Sequence, residues 1–218
     1  ALSNALNLLR VRPEIIARQV LVPETDALDD WISRESKLGN ASLEAEVKGG
    51  NDRLQDLLQW SNAVNDTVED IVHGVPPFPL VRETMAKLSS VADVLCISQT
   101  PIAALEREWG EHALSGYVQL IAGQEMGTKT QHIKIAAADK YPSHRILMIG
   151  DAPGDFKAAK SNGALFYPIT PGEEERSWQR LFEEALQVFF DEKYAGSYEE
   201  ALLSEFNACL PSDPSWSV

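Results

Sequence analysis

Long apolar runs, cysteine pairs and an excess of positive charge are all missing from this chain, and each absence narrows what it can be. No stretch approaches the roughly 20 apolar residues that a membrane-crossing helix needs, and no secretory leader is read in the opening residues. The two cysteines, Cys96 and Cys209, make no disulfide framework, which points to a reducing cytoplasm. Lysine and arginine total 19 against 33 acids, a formal charge of −14. That balance argues against a nucleic-acid surface and favours solubility, so neither nucleic acid nor membrane is expected as a partner. His73, His112, His132 and His144 lack metal-ligand spacing among themselves and are read as solvated or core residues. Internal repeats and low-complexity tracts are absent too.

What is present suits a folded protein with one or two domains. The 218 residues are 44% hydrophobic and 24% charged, enough for a substantial core. Residues 1–74 read as helices only: one over residues 1–20, others near 27–34 and 43–47, and a long one from Asn51 or Asp52. Leu54, Leu57, Leu58, Val64, Val68, Ile71 and Val72 mark the face of that long helix expected to be buried. Trp31 and Trp60, in the same domain, are placed where they could line a substrate pocket, with ordinary packing as the plainer reading. The proline-rich linker from Gly74 to Pro79 holds the chain extended. Residues 75–218 then alternate strands and helices, an α/β core closed by carboxyl-terminal helices.

Directly behind the apolar run Ile146-Leu147-Met148-Ile149 stands Gly150-Asp151-Ala152-Pro153-Gly154-Asp155. A strand ending this way sets two carboxylates at the carboxyl edge of a sheet, where open α/β folds place their chemistry. The pair suits a cation site in a phosphate enzyme; an ordinary acidic turn, with Asp155 opening the next helix, fits the same spacing. A second buried strand, residues 91–98, ends in Ser98-Gln99-Thr100-Pro101. With Thr100 as N-cap and Pro101 in the first turn of a helix over 102–109, the Ser98 hydroxyl, the Gln99 amide and the helix's positive end form an anion grip. A capped turn with no ligand is the plainer alternative. A third strand, 117–123, leads through a loop to Lys129, just before a helix over 131–140. A helix dipole disfavours an ammonium there, so an anionic partner is implied, whereas Lys134 and Lys140 read as surface residues. A helix over 156–162, a last strand over 164–169 with Pro168 marking an edge, and helices opening near 172–175 and after Ser197 complete the chain. The last of these is expected to face inward with Tyr198, Ala201, Leu202, Phe206 and Leu210.

Ser98, Lys129 and the Asp151/Asp155 pair, in this order and each at a strand end, resemble the second, third and fourth motifs of the haloacid dehalogenase superfamily. The resemblance covers roughly residues 75–170, and its most specific part is Gly-Asp-x-x-x-Asp. It implies a Rossmann-like parallel sheet flanked by helices, with residues 1–74 as a helical cap. It also implies magnesium-dependent phosphoryl transfer from a small phosphorylated metabolite to an aspartate, in a monomer or homodimer. Ser98 then resembles the phosphate-binding hydroxyl, helped by Gln99, and Lys129 the cation that neutralises phosphate and nucleophile. Asp151 resembles the direct Mg2+ ligand, and Asp155 the acid behind it that holds metal-bound water or pairs with Lys129.

The superfamily's first motif, Asp-x-Asp-x-Thr, is not found in residues 1–74. Asp26-Ala27-Leu28-Asp29-Asp30 has the wrong spacing, and Phe189-Phe190-Asp191-Glu192-Lys193 sits in a helical pattern with Lys193 where the second acid belongs. In that superfamily the first strand lies between the serine strand and the aspartate strand, so its loss leaves two edges unpaired. The chain also begins with Ala rather than Met. The expectation is that a nucleophile-bearing segment lies outside these residues, which alone are inactive. The alternative is a catalytically dead relative that binds a phosphorylated ligand or a partner protein.

Overall fold

The computed structural model describes residues 2–35, 38–138 and 140–211, and the chain is a mixed α/β protein dominated by helices. It divides into two compact units, Ala1–His73 and Gly74–Ser212. The first is helical: α1 Leu2–Val11, α2 Pro13–Ala17, α3 Asp26–Arg34, α4 Asn40–Lys48 and α5 Gln55–Ile71. The single helix expected over residues 1–20 is broken, because Pro13 opens a new helix and holds Arg12 extended. Leu28 and Trp31, one turn apart on α3, meet Leu43 and Leu54 in a small core bordered by Leu57 and Leu58. Arg34 ties α3 to α4 through both Glu46 oxygens, at 2.8 and 2.7 Å. The face expected for α5 is buried only at its start. Val64, Val68, Ile71 and Val72 are between 38% and 64% exposed, because this helix of 17 residues outruns α3 and α4, of 9 each.

The second unit opens with α6 Val81–Ser89 and then alternates: β1 Leu95–Ile97, α7 Ile102–Glu111, β2 Leu120–Ala122, α8 Lys129–Ile133, β3 Leu147–Gly150, α9 Pro153–Lys160 and β4 Leu165–Pro168. α10 Glu174–Arg180, α11 Leu186–Phe190 and α12 Ser197–Ala208 follow. Phe189 and Phe190 are helical, so no displaced first strand lies there. All four expected strands form; β1, β2 and β4 are shorter than their apolar runs, and β3 has the length of its run, displaced by one residue. A single continuous parallel sheet does not form among the described residues: β1 pairs in parallel with β2 and β3 with β4, in two separate sheets.

Alternation along β3 and β4 divides the core between two faces. Leu147, Ile149, Leu165 and Tyr167 join Leu181, Leu186 and Tyr194 on one; Met148 and Phe166 join Ile133, Ala159 and Phe206 on the other. Val94, just before β1, packs on the first cluster and Ile97 on the second. β1 therefore shares both faces with β3 without hydrogen-bonding to it.

β4 is an edge strand, as Pro168 predicts, and α12 seals it. Leu165 N and Ile169 N donate to Ile146 O and Gly150 O, so Phe166 turns its backbone outward. There its N–H donates to the buried Glu199 carboxylate at 2.7 Å and its carbonyl accepts from Tyr194 Oη at 2.9 Å. Lys160 Nζ, 2.6 Å away, balances Glu199. Burial pushes the Tyr194 and Tyr167 phenols far above their ordinary range.

Glu199→Ala strands the Phe166 N–H and is expected to cost about 2–3 kcal/mol in urea unfolding, with Glu199→Gln costing less. The raised phenols set an alkaline limit: their contribution is intact below pH about 10 and drains as the pH climbs past it toward the folded-state values. Circular dichroism against pH should show that decline, reduced in Tyr167→Phe.

Candidate active site

The loop after β3 is organised by one buried acid. Pro153 opens α9 and Ala152 takes the N-cap, which puts Asp155 at the third helical position, within reach of the backbone behind it. Its Oδ2 accepts from the amides of Asp151 and Ala152 at 3.2 and 3.3 Å, and its Oδ1 meets Lys129 Nζ at 2.5 Å. The Asp155 side chain is 3% exposed and that of Lys129 26%. A carboxylate this enclosed requires those partners, because removing an ion from water is costly unless charge and hydrogen bonds replace the solvent. Gly150 makes the arrangement possible: a Cβ there would lie 2.5–2.8 Å from atoms of the Asp155 side chain.

Lys129 is the first residue of α8, behind a capping box in which Thr128 and Gln131 bond each other's backbone amides. The helix begins two residues earlier than expected for this reason. The dipole's disfavour of an ammonium at this end is offset by Asp155, the anionic partner that position implied. Lys129 also acts across to β1, where burial and Glu108 push the Cys96 thiol up to about 11 while Lys129 opposes the rise.

Ser98 ends β1, its N–H donating to Ala122 O. Its hydroxyl accepts from Thr100 N at 3.1 Å and donates to no described residue, which leaves a proton for an incoming anion. Gln99 does not join it. The Gln99 amide donates to Gly127 O at 3.0 Å and to Ser98 O at 3.2 Å, tying the β1 end to the loop that carries Lys129. The helix end is not free either. Pro101, not Thr100, holds the N-cap of α7, and both oxygens of Glu125 receive Ile102 N, at 3.3 and 3.1 Å. Glu125 is a residue that sequence reasoning missed, and no local signal marks it, since its partner lies 23 positions away.

Lys129 thus meets the Asp151–Asp155 loop at the carboxyl end of β3, and Ser98, at the carboxyl end of β1, is tied to the loop carrying Lys129 through its neighbour Gln99 and Gly127, while the α7 terminus serves an internal contact. Among the described residues no group of three or more His, Cys, Asp or Glu side chains is placed to hold a metal. A magnesium ion, which takes few carboxylates and several waters, fits the exposed Asp151 as its one protein carboxylate. Asp155 does not fit as a direct ligand, because both of its oxygens are engaged. A cavity of about 360 Å³ opens elsewhere, between β4, α10 and α12, lined by Thr170, Arg176, Arg180 and Cys209 but by none of these residues. His132, one turn after Lys129, is 6% exposed with neither ring nitrogen bonded to a described residue, which places it among core rather than solvated histidines. Comparison with family models, curated proteins and solved structures finds no match for the chain.

Gly150→Ala should force Asp155 off its partners and lower stability by about 1–3 kcal/mol, read by urea unfolding, with the Asp151 and Ala152 amides exchanging faster. In thiol labelling at pH 8 the exposed Cys209 should react well before Cys96, whose rate should keep rising with pH toward about 11.

Proposed function

We propose that the chain belongs to a magnesium-dependent phosphohydrolase of the haloacid dehalogenase superfamily, acting on a small phosphorylated metabolite through an aspartyl-phosphate intermediate. The observation that carries this reading is the Lys129–Asp155 pair, with Asp155 anchored on the amides of Asp151 and Ala152 beside the end of β1. An isolated acidic turn has no need of a half-buried lysine brought from another helix. On this reading the four strands belong to a Rossmann-like sheet and the helical first unit is a cap.

Each residue then has one task. The Ser98 proton donates to a non-bridging phosphate oxygen, and Lys129 neutralises charge on the transferring group and on the nucleophile. Asp155 fixes Lys129 in place and holds the Asp151 backbone, which aims the Asp151 carboxylate at the cation. Magnesium, when bound, supplies a Lewis acid that draws charge from the phosphoryl oxygens. The attacking carboxylate comes from a segment other than these 218 residues, because the Asp-x-Asp-x-Thr pattern is not among them. It displaces the alcohol from phosphorus, and water then cleaves the acyl phosphate.

A second reading has its own support. Glu125 occupies the α7 terminus and Gln99 is spent on Gly127, so the anion grip is partly self-satisfied, as suits a catalytically inactive relative that binds a phosphorylated ligand or a partner.

Hydrolysis of p-nitrophenyl phosphate with Mg2+ separates the two. The 218 residues alone should be silent, and protein made with the gene's own upstream codons should turn over, falling by about 100-fold or more in Asp151→Asn. Silence of the extended protein would contradict the enzyme and favour the binder.

A further inference from the structure

The cavity between β4, α10 and α12 takes no part in the site built from Ser98, Lys129 and Asp151. It holds about 360 Å³, and all of its walls belong to the second unit. Pockets for small molecules begin at about 300 Å³, so its size suits a ligand of few atoms. The floor is apolar or already satisfied. Tyr167 and Leu202 lie there at 1% and 5% exposure, with Pro168 beside them. Tyr167 Oη donates to Ser177 O at 2.6 Å, and Ser177 Oγ accepts from Thr170 N at 3.0 Å and donates to Glu173 O at 2.9 Å. A ligand meets apolar surface at this depth, from groups that need no further polar partner.

The rim is charged, and with both signs. Arg176 and Arg180 stand four residues apart on α10 and so share a face. Arg180 Nη1 donates to Glu205 Oε2 of α12 at 2.9 Å, which leaves the second Glu205 oxygen unbonded among the described residues. The exposed guanidinium of Arg176 and the exposed carboxylate of Glu173 have no partner among the described residues either. Two guanidinium groups and two carboxylates therefore border one opening above an apolar floor. A ligand of a single sign meets repulsion at such a rim as well as attraction. A small molecule that carries both signs on neighbouring atoms meets attraction from both.

We propose that this cavity binds a free α-amino acid with an apolar side chain. The ligand carboxylate lies against Arg176, whose planar fork donates to both carboxylate oxygens at once. The ammonium lies toward Glu173 and the free oxygen of Glu205, and Arg180 keeps Glu205 in place. The side chain covers Tyr167, Pro168 and Leu202 and takes its own apolar surface out of water. Because none of Ser98, Lys129 and Asp151 lines the cavity, this site and the phosphohydrolase reading stand or fall separately.

Cys209, exposed in the cavity wall, reports occupancy, and Cys96, which does not line it, serves as the internal reference. In labelling of the 218-residue protein with N-ethylmaleimide at pH 7, about 10 mM L-leucine should slow Cys209 by about fivefold or more and leave Cys96 unchanged. 4-Methylpentanoate, which lacks the ammonium, and 3-methylbutylamine, which lacks the carboxylate, should each slow it by less than about twofold. Arg176→Gln and Glu173→Gln change exposed side chains without described partners, so both should keep the circular dichroism of the parent while losing most of the protection by leucine. No slowing by leucine, equal slowing by either truncated analogue, or undiminished protection in either variant would overturn the proposal.

Discussion

One buried carboxylate organises the carboxyl ends of the strands. Asp155 is nearly removed from solvent, and its charge is matched by Lys129 on one oxygen and by two backbone amides on the other. Through these bonds it fixes the turn after β3, the first residue of α8 and, by way of Gly127 and Gln99, the end of β1. Geometry leaves little latitude. The carboxyl group lies against the α-carbon of Gly150, so the glycine, the acid and their spacing are a single steric and electrostatic requirement. Asp151 donates its backbone N–H to Asp155 while its side chain stays exposed.

A contrast between two kinds of strand edge explains the architecture around it. Glu199 and Tyr194, both buried, spend their polar groups on the backbone of Phe166, and Lys160 balances the charge brought in with Glu199. Unpaired backbone inside a core costs about as much as a lost hydrogen bond, which is sufficient reason for that device. β1 and β3 have no equivalent device among the described residues, and their side chains other than that of Met148 are half-buried, whereas those of β4 are buried throughout.

Much of this was legible in the sequence. Runs such as Ile146–Ile149 announce strands by their composition, and Lys129 announces an anionic partner by standing where a helix dipole disfavours it. The illegible parts are those set by distant contacts. Nothing near Glu125 shows that it caps a helix starting at Ile102, and nothing in the pattern of α12 distinguishes Glu199, buried, from its exposed neighbour Glu200. The lengths of β1, β2 and β4 are shorter than composition suggests, because apolar composition reports the tendency to be buried, whereas pairing decides how far a strand extends. The same is true of α5, whose apolar stripe continues past the helices that cover its first turns.

Convergence of Ser98, Lys129 and Asp151 on one anion-and-cation site is the central claim, and nuclear magnetic resonance of the isotope-labelled chain titrated with Mg2+ and inorganic phosphate tests it most directly. The account predicts that the amides of Ser98, Asp151 and Ala152 shift together along one saturation curve, and that Lys129→Met abolishes the phosphate-dependent part. Independent curves for Ser98 and Asp151, or shifts confined to other surfaces, would contradict it.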